Sequence, residues 1–113
     1  MHEVSLCQSA VEIIEQQARQ HQVKKVTGVW LEIGALSCIE ESALRFCFDI
    51  ACRGTVAHGS QLHILYRPAQ AWCWDCSESV DVHTHDAACP KCHGFNLKVE
   101  NGDSLRIKEL EIE

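Results

Sequence analysis

Four cysteines fall into two pairs, Cys73-Trp74-Asp75-Cys76 and Cys89-Pro90-Lys91-Cys92, with twelve residues between the pairs. Two residues between cysteines let one tight turn present both sulfurs to one ion, and Pro90 and Gly94 suit such a turn. Zinc takes four soft or borderline ligands at tetrahedral corners, so Cys73, Cys76, Cys89 and Cys92 read as a structural zinc site. The spacing is slightly shorter than the commonest zinc-ribbon range. Two rival chemistries fit less well. A redox dithiol wants one C-x-x-C at a helix N-terminus beside a βαβ pattern, which is missing here. A catalytic zinc needs an open position for water, and four thiolates leave none.

The second constellation is Met1-His2-Glu3. Methionine aminopeptidases remove Met1 only before a small residue, and histidine is large, so Met1 stays and carries the free amine. That amine, the deprotonated amide of residue 2 and the His2 imidazole can chelate one ion in fused rings. Strong planar nitrogen donors suit Ni(II) or Cu(II) and do not suit Mg or Ca. The Glu3 amide, a water or a distant histidine would fill the fourth corner. Taken alone the motif is weak, because a frayed terminus with an early histidine is common. His83 and His85 lie between the knuckles and read as solvated loop histidines, or as substitute zinc ligands. His93 directly follows Cys92.

The elements that must position these groups follow from periodicity. Residues 5–21 read as a helix, with Leu6, Ala10, Val11, Ile13, Ile14 and Ala18 at helical spacing and Ser5 as a cap. Residues 23–34 read as a strand in which Val29, Leu31 and Ile33 alternate with Trp30 and Glu32. A second helix lies within 38–53. Ser37 and Glu40 resemble a capping box, Leu44, Cys47, Phe48 and Ala51 form an apolar stripe, and Arg53-Gly54 is a stop. Cys38, Cys47 and Cys52 lack paired spacing and read as core or boundary thiols. His58-Gly59 is a turn into a strand over Leu62 to Arg67, which Pro68 closes. Ser104 to Glu113 is a third strand. A bulge near Lys108-Glu109 would put Leu105, Ile107, Leu110 and Ile112 on one face. Residues 69–103 differ in composition, with four cysteines, three histidines and few aliphatics. Val80-Asp81-Val82 suits a short hairpin that brings the knuckles together. The expected fold class is therefore α+β: two helices on a three-stranded sheet, spanning 1–68 plus 104–113, with a zinc-ribbon-like β domain inserted over 69–103.

The bulk numbers narrow the function. The chain has 113 residues, 46% hydrophobic, and a formal net charge of −6, which suits one compact unit and argues against a nucleic-acid binder. Within 69–103, six acids face two lysines, so a phosphate backbone would be repelled. No signal peptide is visible, and no apolar run reaches the roughly 20 residues that span a bilayer. The expectation is a cytoplasmic protein, in which eight cysteines serve as metal ligands and buried thiols rather than disulfides. No Walker motif, Gly-rich phosphate loop or Ser-His-Asp set appears, so no enzymatic activity is expected.

Met1-His2-Glu3, the strand end Leu31-Glu32-Ile33-Gly34, the helical Cys47-Phe48-Asp49 and the two knuckles together resemble the HypA/HybF family, over essentially the whole chain. The stretch from Ala69 to Cys76 is most similar to the HybF branch. The resemblance implies a nickel metallochaperone for [NiFe]-hydrogenase maturation, with His2 as the essential nickel ligand and the Met1 amine completing the site. Glu3 would assist or contact a partner. It implies structural Zn(2+), transferable Ni(2+), and two partners, the maturation GTPase HypB and the hydrogenase large-subunit precursor. The sequence leaves monomer or weak homodimer open. One departure concerns the zinc site. Some members carry a histidine two residues after the first knuckle, and here that position is Glu78. The rival classes are a zinc-ribbon adaptor without nickel chemistry and a thiol oxidoreductase.

Overall fold

The computed structural model describes residues 3–102 and 104–113. The chain order is α1 (Glu3–Gln20), β1 (Val26–Gly34), α2 (Glu41–Cys52), β2 (Gln61–Arg67), β3 (Ala69–Cys73), β4 (Glu78–Val82), β5 (Leu97–Val99) and β6 (Leu105–Ile112). Two three-stranded sheets result, ordered β2-β1-β6 and β4-β3-β5. Two compact units form. One holds the described residues up to Leu31 with Ile39–Leu65 and Arg106–Glu113, and the other holds Glu32–Cys38 with Tyr66–Leu105.

In the first unit the helix periodicity sets the packing. Cys7, Ala10, Val11, Ile14 and Ala18 recur at three- and four-residue steps and are all buried. They share a core with Val26, Val29 and Leu31 of β1 and with Leu44, Phe48 and Cys52 of α2. The Cys7 thiol donates to the Leu44 carbonyl at 3.5 Å, which ties α1 to α2. Burial pushes the Cys7 thiol up to about 11, so this cysteine is a packing group. Full burial of Ile14 or Leu44 contributes about 1.5–3 kcal/mol each.

Several local expectations need correction. Helix α1 already includes Glu3, so Ser5 lies inside it and does not cap it. Ile13 is 50% exposed, because it sits one step off the buried stripe. The helix ends as Val23 N donates to Ala18 O at 2.8 Å, with Gln22 left-handed at φ 56. That is a Schellman closure built on a glutamine rather than a glycine. At α2 the cap is Glu40 itself. Its carboxylate accepts from Ser42 N at 3.2 Å and Ala43 N at 2.8 Å, so the Ser37–Glu40 box does not form. The buried face of α2 is Leu44, Phe48 and Cys52, while Cys47 and Ala51 are half-buried beside it. Along β6, Leu105, Ile107 and Leu110 are half-buried, so the pattern does change parity across Lys108–Glu109. Ile112 departs from it at 55% exposed.

In the second unit β3 pairs antiparallel with both neighbours, Ala71 opposing Val80 and Val99. Alternation puts Ala69, Ala71 and Cys73 on the buried side, against Val80, Val82, Leu36 and Cys89. The residues there are small, and the backbone is correspondingly close. Gly102, at φ +115, lies where any side chain would strike Ala69. The hairpin also differs from expectation. Val80-Asp81-Val82 is one strand of it, but its partner is β3, upstream of the first knuckle. The knuckle Cys73–Cys76 is therefore the hairpin's turn, closed by Ser77 at φ 54.

Candidate metal centre

Strand β3 ends on Cys73 and the knuckle turn presents Cys76, while the second knuckle presents Cys89 and Cys92. The four sulfurs all lie within 4.8 Å of one another. Cys73 Sγ is 3.7 Å from Cys92 Sγ, and Cys76 Sγ is 3.9 Å from Cys89 Sγ. A disulfide needs about 2.05 Å, so these are not disulfide distances. A tetrahedron with metal–sulfur bonds of about 2.3 Å has edges of about 3.8 Å, close to these two separations. The donor set and its geometry thus fit one thiophilic divalent ion held by four cysteines.

The backbone is arranged for thiolates. The amides of Lys91 and Cys92 point at Cys89 Sγ, at 3.4 and 3.5 Å. They lower the Cys89 thiol to about 7, with the Cys92 amide contributing most. Cys76 is pushed up to about 12, first by its contact with the Cys92 sulfur and then by burial. The knuckle turn is fixed by Cys89 N donating to Gly94 O at 2.7 Å and His93 N donating to Cys89 O at 2.8 Å. Glu78, at the departed position, is engaged by Lys91 Nζ at 2.7 Å, an ion pair that spans the two knuckles. His93 is left-handed at φ 63 and exposed. Among the described residues, no histidine nitrogen joins the sulfur group.

Met1 and His2 lie outside the described residues. Glu3, the first residue of α1, is 9% exposed. Its Oε2 accepts from Glu40 N at 3.5 Å, so the residue after His2 is fastened to the cap of α2. The capping bonds hold Glu40 below the usual carboxylate range, the Ser42 hydroxyl contributing most. Sequence reasoning missed this link, because nothing local pairs residues 3 and 40. It also misplaced Cys38, which is exposed rather than a core or boundary thiol. His85 is an exposed loop histidine, and its Nε2 sits 3.2 Å from Leu36 O and 3.9 Å from Cys38 Sγ.

A sequence profile described as "Hydrogenase/urease nickel incorporation, metallochaperone, hypA" matches residues 1–112. The chain belongs to the HypA/HybF family. It is 70% identical to hydrogenase maturation factor HybF of Escherichia coli O157:H7 and 60% identical to HybF of Proteus vulgaris, covering the full length of both chains. The solution structure of the nickel metallochaperone HypA from Helicobacter pylori superposes with a TM-score of 0.73 at 28% identity. The match covers 99% of this chain and 97% of that one. The α+β fold, two helices with small sheets and a four-cysteine centre, is thus the HypA fold. Membership places the chain among nickel-incorporation metallochaperones and maturation factors, which are not catalysts. No helix of the described residues is long and apolar enough to cross a membrane.

Proposed function

We propose that this HybF-like chain delivers Ni(II) to the large-subunit precursor of a [NiFe]-hydrogenase in the cytoplasm, and carries Zn(II) on Cys73, Cys76, Cys89 and Cys92 as a structural ion. The observation that carries the reading is full-length likeness to HybF maturation factors in a chain that opens Met1-His2-Glu3. Nickel is the cargo here. The Met1 amine, the His2 amide and the His2 imidazole would hold it in a nitrogen-rich plane. Glu3 acts through position: its buried carboxylate holds the first turn of α1 against Glu40, which leaves the two residues before it to wrap the ion. The nickel-binding part spans 1–68 plus 104–113 and the zinc-binding part spans 69–103.

The partners of this reading are the GTPase HypB and the hydrogenase precursor. A chain without a nucleotide loop draws any nucleotide energy from another protein. Zinc supplies cross-linking: four thiolates leave no open position, so it fixes the second unit and performs no chemistry on a substrate.

The test is nickel titration of the chain with its own N-terminus and with that terminus acetylated. Acetylation turns the Met1 amine into an amide and supplies no new amine. The reading expects the nitrogen-ligated, square-planar d–d band in the first protein and its loss in the second. Equal bands in both remove the amine from the site. No band in either leaves a zinc-ribbon adaptor as the function.

A further inference from the structure

Away from the four sulfurs, the second unit brings together three donor atoms from two distant segments. Cys38 Sγ is 3.7 Å from Leu36 O and 3.9 Å from His85 Nε2, and His85 Nε2 is 3.2 Å from Leu36 O. Cys38 and His85 are both exposed, and Cys38 takes a left-handed backbone at φ 58. A circle through these three atoms has a radius of about 2.1 Å, which is a metal–nitrogen or metal–oxygen bond length and slightly under a metal–sulfur one. A single ion close to the plane of the triangle would therefore reach all three donors with almost no movement of the protein.

We propose that Cys38, His85 and the Leu36 carbonyl form a second, open metal site for a borderline divalent cation, with Ni(II) the ion it would meet in a nickel-handling chain. The donor set decides the class. Thiolate and imidazole select nickel, zinc or cobalt over magnesium and calcium. Binding displaces the Cys38 thiol proton to solvent and takes His85 as the tautomer protonated at Nδ1, so that the Nε2 lone pair faces the ion. With three protein donors the coordination sphere is incomplete, and water or an incoming ligand fills the rest. That makes the site exchangeable, in contrast to the closed four-thiolate centre. It shares no ligand with the N-terminal chelate and does not depend on that assignment.

The experiment uses zinc-loaded full-length protein carrying His2→Gln, titrated with Ni(II) alone while bound zinc is measured. Glutamine is large, so Met1 is retained. The site predicts one equivalent of nickel with a thiolate-to-nickel charge-transfer band and no loss of zinc. Adding Cys38→Ser should abolish the band, and adding His85→Ala should weaken binding at least tenfold. No thiolate-to-nickel band in the zinc-loaded protein overturns the proposal. So does a band that survives Cys38→Ser, or one whose affinity is unchanged by His85→Ala. A missing square-planar band in the unmutated chain would overturn the N-terminal chelate and leave this site standing.

Discussion

The two units solve the same problem with different materials. The first buries large aliphatic side chains, Ile14, Leu31, Leu44, Val26 and Val29, against one another. In the second, the cluster around the sulfurs of Cys73 and Cys89 is built of alanines with Leu36, Val80 and Val82, and Leu97 packs against it; Ile33 is the one large aliphatic side chain that is fully buried among the described residues of this unit. A cluster that small removes little apolar surface from water. On the proposed function, cross-linking through one zinc ion would replace the missing core, since a four-thiolate zinc site contributes folding free energy directly. The unit with the smaller core should therefore respond to metal, and the unit with the aliphatic core to cavities.

The largest effect expected is loss of the ion. Cys89→Ser, or chelation, removes an apparent binding free energy of about 10–16 kcal/mol by analogy with zinc-finger peptides. Amide hydrogen exchange should show β3, β4 and β5 losing protection while α1 and α2 keep theirs. Equal loss in both units would mean that they do not differ as described. Next in size is Leu44→Ala, which should destabilise the first unit by about 2–5 kcal/mol in denaturant titration and leave zinc content at one per chain. Zinc loss in that variant would dissolve the distinction from the other side.

A smaller and graded effect comes from pH. In the metal-free unit Cys89 titrates at about 7 and Cys76 at about 12, so at neutral pH zinc must displace protons from sulfur. Lowering the pH adds the Cys89 proton to those displaced. Zinc affinity, and with it the stability of the second unit, should fall as pH drops from 8 to 6, by about tenfold per pH unit for each proton released. Competition with a chromophoric chelator measures it. A flat profile would mean that the sulfurs are not the ligands.

The same contrast explains what the sequence could reveal. The knuckles were legible because both halves of each pair lie within four residues, and the first helix because burial follows a short period. The four-cysteine cluster is therefore legible from spacing alone. The hairpin that holds Val80-Asp81-Val82 is legible too, but its partner strand is not, because that strand lies on the far side of the first knuckle. The Ser37–Glu40 spacing suggests a reciprocal box. The helix starts four residues later than that serine, and one carboxylate caps two amides by itself. The Cys38–His85 contact spans 47 residues with no shared pattern, and the Glu3–Glu40 link spans 37. Such pairings belong to the tertiary fold, which periodicity cannot report.

On the proposed function this chain handles two metals through separate ligand sets, nickel at His2 and zinc at the four cysteines. The direct measurement is nickel spectroscopy and zinc analysis on one preparation of the His2→Gln protein. One zinc per chain and no nitrogen-ligated square-planar nickel band are expected. A band equal to that of the unmutated chain, or zinc lost together with the band, would contradict it.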